Sequence, residues 1–221
     1  MLQKFISALI LSALSVIAVA ATAPATPATP ATPEPAAAQS LSPDQIDYPW
    51  SVMFYAGKLV DENLLQVFSM NFGDETLYSL ELAKELSPDN MLRRYVQPLV
   101  TTVAIAGNVA YRTDPDGPIY EFDPYVTFRW EHFPWDKFLV NTYAIGWGVS
   151  YVTRVPTWEA EDSTDTKQLL NYLMFETTLA LPKHPQWQLV LRIHHRSGAF
   201  GLYGADNAGS NVIGLGIRYN F

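Results

Sequence analysis

The stretch Tyr120-Glu-Phe-Asp-Pro-Tyr-Val-Thr-Phe-Arg-Trp-Glu-His132 decides the fold class. Its even positions Tyr120, Phe122, Pro124, Val126, Phe128 and Trp130 are apolar, while Glu121, Asp123, Thr127, Arg129 and Glu131 fill most of the odd ones. Strand side chains point alternately to opposite faces, so this pattern predicts a β-strand with one apolar and one charged face. The segment 138–153 sorts by size instead. Leu139, Tyr143, Ile145, Trp147, Val149 and Tyr151 share one face, and Thr142, Ala144, Gly146, Gly148 and Ser150 the other. Large apolar groups outside and small or polar groups inside fit a narrow barrel in lipid; a soluble ligand-binding barrel carries its apolar face inward.

Period-two reading along the chain predicts strands near 50–59, 76–86, 99–112, 119–132, 138–153, 169–181, 186–197 and 210–221. About eight is the smallest size usual for a transmembrane barrel. The expected fold is all-β, an eight-stranded antiparallel transmembrane β-barrel with a lipid-facing apolar exterior and a polar, plugged interior. Glu121, Asp123, Arg129, Glu131, Glu176, Arg192, His194, Arg196 and Arg218 form the expected inward charged set, with His194 and Arg196 packing or pairing inside, Glu176 being a candidate partner. Short turns at 133–137 and 182–185 alternate with long connections at 154–168 and 198–209, as periplasmic turns and external loops do. Two places break the pattern. The connection Ser87 to Pro98 is long for a periplasmic turn, and Leu64 to Phe72 suits a helix, a strand extension or a buried loop equally.

Ahead of the barrel, Lys4 precedes an apolar run from Phe5 to about Val19 that ends in small residues, which predicts a secretory signal over 1–20. Residues 21–46 are rich in Ala-Thr-Pro and predict an extended spacer, leaving 47–221 for the barrel domain. The chain has no cysteine, so packing and pairing rather than disulfides must hold an exported domain together. A formal charge of −8 with no basic cluster larger than Arg93 and Arg94 argues against nucleic acid. Aromatic residues, 13% of the chain, fall near strand ends as interfacial girdles do.

Chemistry is expected at the end of the seventh strand. Trp187, Leu189, Leu191 and Ile193 form an apolar row that continues into His195 and Ser197, which therefore face lipid at the outer end. A serine becomes a nucleophile when a base within hydrogen-bond reach takes its proton, and a third group orients that base. Asn211, outermost of the lipid-facing row on the next strand, is the expected partner of His195. Asp206 in the loop is the alternative acid, and the backbone N–H groups of Gly198, Ala199 and Phe200 are candidates for an oxyanion site. The plainer reading makes His195 and Ser197 polar markers of the membrane interface; polar groups on a lipid face are rare unless they function or lie there. Ser–His chemistry needs no metal or organic cofactor.

Ile193-His-His-Arg-Ser-Gly-Ala199, followed by Asn207-Ala-Gly-Ser-Asn211 and a terminal Arg218-Tyr-Asn-Phe221, resembles the lipid A 3-O-deacylase family, the PagL-like barrels also called acyloxyacyl hydrolases. The matching motif spans only about the last 35 residues, a length that the final two strands and their loop supply. The resemblance implies a bacterial outer-membrane esterase acting on lipopolysaccharide, with His195 as base and Ser197 as nucleophile, inserted by the barrel-insertion machinery that reads a terminal phenylalanine. Two departures stand out: Asn211 occupies the place of a family glutamate, and Gly198 the place of an asparagine. The rival expectations are a non-catalytic small outer-membrane barrel with a structural or surface-interaction role, and a soluble binding barrel.

Overall fold

The computed structural model describes residues 48–205 and 208–221. The expected signal and spacer, and Asp206, lie outside the described residues.

Eight antiparallel strands close on themselves: β1 (Trp50–Val60), β2 (Phe72–Glu85), β3 (Thr102–Arg112), β4 (Ile119–Trp130), β5 (Val140–Val152), β6 (Leu169–Ala180), β7 (Trp187–Ser197) and β8 (Gly209–Asn220). Each pairs with its sequence neighbour, and β8 returns to β1 from Ser51↔Asn220 to Val60↔Asn211. Closure leaves no strand edge unpaired, the condition a sheet must meet to sit in hydrocarbon. No helix among the described residues is long and apolar enough to cross a membrane. The exterior carries Phe54, Leu80, Ile105, Phe122, Trp147, Leu189, Leu215 and Ile217, all exposed, while charged side chains are buried within. That inversion of the usual soluble pattern makes the molecule a transmembrane barrel.

The interior is neutralised by two ion-pair networks. Toward the end that carries Trp50 and Phe221, Glu176 accepts from Arg129, Arg192 and Arg218 at 2.5–3.0 Å, and Glu81 joins Arg192 and Arg218. Toward the opposite end, Arg112 lies 2.5 Å from Glu75 and 3.2 Å from Glu121, and His194 Nε2 lies 2.9 Å from Glu121. His194 therefore pairs with Glu121 and not with Glu176. Glu131 corrects the expected inward set: β4 ends at Trp130, and Glu131 lies beyond it, half-buried, its N–H bonded to Thr101 Oγ1. Parity holds only while the strand lasts. Glu75, Glu81 and Arg112 complete the networks, although the alternation had not singled them out.

The irregular connections acquire structure. Residues 86–101 hold a short helix, α1 (Met91–Val96), whose Asn90 side chain accepts from the N–H groups of Leu92 and Arg93. The 153–168 loop holds α2 (Thr157–Asp162), which sends Glu159 into the barrel mouth. There Glu159 is fully buried and accepts from Arg196 Nε at 3.0 Å and Ser210 Oγ at 2.7 Å. Asp114, in the neighbouring β3–β4 loop, holds this cork in place by accepting from Thr157 N, Thr157 Oγ1 and Arg154 Nη2, each at 2.8 Å.

Burial pushes the Asp114 carboxyl up, but the bonds from Thr157 and Arg154 outweigh it and hold the group below the usual carboxylate value. A depressed value means that the clamp is fully present above the unfolded value of ~3.9 and is lost as pH falls through the folded one. Fluorescence of Trp158, taken by difference against Trp158→Phe, is expected to change below that pH in the wild type and to lose this dependence in Asp114→Asn. Identical profiles in the two would remove Asp114 from the clamp.

Candidate active site at the outer end of β7 and β8

The β7–β8 ladder fixes the site. His195 stands directly opposite Asn211, and Ser197 opposite Gly209, in the same register that pairs Leu191 with Leu215 on the lipid-facing side. His195 and Ser197 are half-buried, between the exposed Leu191 below and the loop above. His195 Nδ1 and Asn211 Oδ1 are 2.7 Å apart, and Asn211 Nδ2 donates to the Glu62 carbonyl at 2.8 Å. A carbonyl only accepts, so the Asn211 amide nitrogen must face Glu62 and its oxygen must face His195. The hydrogen on His195 therefore sits on Nδ1, and Nε2 is left with a free lone pair, the state a general base requires. No hydrogen bond joins His195 to Ser197 among the described residues; such bonds commonly tighten only when substrate is bound.

The β1–β2 loop that supplies Glu62 is part of the site. Its 3-10 helix (Leu64–Ser69) lays Val67 against Val60 and Ile213, with Ile193 packed alongside. This covers the outer end of β8 and buries Asn211, which sequence parity alone had placed in the open lipid-facing row. Leu65, Phe68 and Met70 remain exposed on the same loop.

After Ser197 the chain enters a left-handed turn, with Ala199 at φ 48°, Phe200 at φ 57° and Gly201 at φ 85°. Left-handed backbone costs a non-glycine residue roughly 1–2 kcal/mol, and such strain is often found beside functional groups. Gly201 and Tyr203 N–H both return to the Gly198 carbonyl, and Ala205 packs with Ala208 on Leu170. The glycine-rich loop is thus anchored. Of the three candidate oxyanion amides, Gly198 is already engaged, its N–H donating to Ala208 O at 3.0 Å. Ala199 and Phe200 N–H make no backbone bond among the described residues. A Cβ at Gly198 would collide with the Ala205 carbonyl. Gly198→Ala is therefore expected to displace the loop beside Ser197 and lower any activity there while leaving the barrel's melting unchanged, read by thermal unfolding and assay side by side.

Sequence reasoning passed over Asn171. It lies opposite Ser197 in the β6–β7 ladder, on the same outward face, buried and bonded through Oδ1 to Trp147 Nε1 at 2.7 Å. A polar residue in the otherwise apolar row Leu169, Leu173, Phe175 was the available signal, the same signal that exposed His195. Among the described residues one group has the spacing of metal ligands, Glu121, Asp123 and His194, with donor atoms within 4.8 Å of one another. It is sealed inside the barrel on the opposite face from His195, where Arg112 and Arg196, 3.2 and 3.9 Å from Glu121, compete with a cation for that carboxylate. His132 and His184 sit in turns at the far end.

The fold has solved counterparts. The crystal structure of the outer membrane enzyme PagL superposes with a TM-score of 0.54 at 12% identity, covering 77% of this chain and 99% of that one. The likeness is one of fold. Also similar are the N-terminal β-barrel domain of Pseudomonas aeruginosa OprF, at 13% identity, TM-score 0.42 and 78% and 98% coverage, and Neisserial surface protein A, at 10%, 0.44 and 78% and 97%. No family model matches the chain, and no curated protein does.

Proposed function

We propose that this barrel is an outer-membrane esterase that removes an ester-linked acyl chain, the one at the 3-O position, from lipid A. One observation carries the reading: a histidine with its Nδ1 held by Asn211 stands two positions before a serine on the outward face of the barrel wall, where the strand runs into its loop. A base and a nucleophile placed there meet acyl esters that water-facing enzymes do not reach. The fold likeness to the outer membrane enzyme PagL and the resemblance around His195 and Ser197 support the same conclusion.

In this mechanism Ser197 Oγ attacks the ester carbonyl while His195 Nε2 takes the hydroxyl proton. The resulting imidazolium donates through Nδ1 to Asn211. Charge on the carbonyl oxygen is met by the free N–H groups of Ala199 and Phe200. As the intermediate collapses, His195 returns the proton to the departing sugar oxygen. Water, deprotonated by His195, then attacks the acyl-serine, releasing the fatty acid and restoring Ser197. Ester and water become acid and alcohol, with no metal or cofactor in the sequence of steps. An amide in place of a carboxylate holds the tautomer but carries no charge, so it stabilises the imidazolium less and a slow enzyme is expected. The test is mass spectrometry of lipid A from cells expressing the chain: loss of one hydroxyacyl group is the expected result. Unchanged lipid A with the barrel inserted would favour the rival non-catalytic outer-membrane barrel.

A further inference from the structure

Gly198 follows the proposed nucleophile and has no side chain to offer, and its N–H is already bonded to Ala208 O. The neighbouring strand supplies an amide instead. Asn171 is the direct cross-strand partner of Ser197, so the two side chains leave the sheet on the same face with Cβ atoms ~4.5–5.5 Å apart. On its other side β6 pairs with β5, where Trp147 donates its indole N–H to Asn171 Oδ1 at 2.7 Å. An indole N–H only donates, so the amide oxygen is the atom facing Trp147 on β5, and the amide nitrogen is the atom left pointing away from it. That nitrogen makes no hydrogen bond among the described residues, although Asn171 is only 5% exposed. It is not among the sealed polar atoms that lack a partner, so the nitrogen keeps some contact with the surface and is open to an incoming acceptor. Here the missing acceptor would arrive with the substrate.

We propose that Asn171 Nδ2 donates a hydrogen bond to the oxyanion that forms when Ser197 attacks the ester, acting beside the Ala199 and Phe200 amides, and that Trp147 is the positioning residue that fixes its orientation. The inference rests on the esterase reading above. Asn171 forms no covalent bond and moves no proton: it stabilises charge that exists only on the way to and from the tetrahedral intermediate, and so raises turnover more than substrate affinity. The arrangement also places the two flanking asparagines in opposite roles. Asn211, held by an acceptor, presents its oxygen to the base; Asn171, held by a donor, presents its nitrogen to the site of reaction.

Asn171→Asp is the discriminating variant, because it keeps the size of the side chain and an acceptor for Trp147 while removing the donor. Assayed on lipid A in detergent-solubilised, full-length protein, it is expected to lower kcat by about 10²–10³, the usual effect of deleting one oxyanion donor, with KM and melting temperature little changed. Asn171→Leu should do the same, and Trp147→Phe, which frees the amide to turn, should give a smaller loss of kcat. Turnover close to wild type in Asn171→Asp overturns the proposal, as does a loss that follows unfolding in both Asn171 variants, which would mark a structural role. A wild-type chain inert toward both lipid A and a short activated ester overturns the esterase reading and this one with it. An active wild type with an unaffected Asn171→Asp overturns this one alone.

Discussion

Replacing Ser197 by alanine is expected to leave lipid A fully acylated in cells where the wild-type barrel removes one hydroxyacyl chain. The substitution deletes a single oxygen from a half-buried side chain at the end of β7. It touches neither ion-pair network, because both lie on the opposite face of the strand through Arg192, His194 and Arg196. Folding and insertion should therefore be unchanged, and heat-modifiable gel mobility of the two proteins should coincide. The chemical effect is large, because nothing else at the site can form the acyl intermediate: in a serine protease, loss of the nucleophile lowers turnover about 10⁶-fold. Mass spectrometry of lipid A from matched strains reads the result. Equal deacylation by Ser197→Ala and wild type would end the proposed mechanism, and absence of deacylation in both would turn attention to the non-catalytic barrel.

The second large effect concerns stability. Glu176→Leu is expected to lower the unfolding free energy by about 3–5 kcal/mol, the usual consequence of removing one partner from a buried charge pair. Glu176 is the hub of its network: Arg129, Arg192 and Arg218 all bond to its two oxygens, and without it Arg192 and Arg218 keep only Glu81 while Arg129 loses its carboxylate partner. Urea unfolding in detergent micelles reads this as a lower midpoint with little change in slope. The double variant Glu176→Leu with Arg192→Leu should recover part of the loss, since replacing a buried ion pair by apolar groups is often neutral or stabilising. No recovery would mean that the single variant acts through packing and not through unpaired charge.

Parity made much of this legible. A strand repeats every two residues, so Tyr120 to Trp130 and Trp187 to Ser197 declared which side chains face lipid without knowledge of any partner. The placement of His195 and Ser197 on the outer face followed from that count alone. The count failed where the strand stopped, as at Glu131, and where a loop folded back over the sheet, as Val67 does over Ile213. It also could not name the partner of His194, for which Glu176 was a candidate and Glu121 is the residue met. Parity says inward, but which carboxylate a side chain meets inside depends on register across several strands, and that register joins Glu121 to His194 over 73 residues of sequence.

The sequence by itself determined the barrel, its strand count and its two faces, because alternation is a local property and lipid outside a narrow barrel leaves charged residues only one direction to point. Tertiary structure decided the rest of the site. The tautomer of His195 depends on a carbonyl from the β1–β2 loop, the orientation of Asn171 on an indole two strands from the serine, and the seal of the barrel mouth on a carboxylate carried by α2. Each is a hydrogen bond between residues distant in sequence. Strand closure and loop packing bring those residues together, and local sequence pattern carries no record of which distant partner a donor or acceptor will meet.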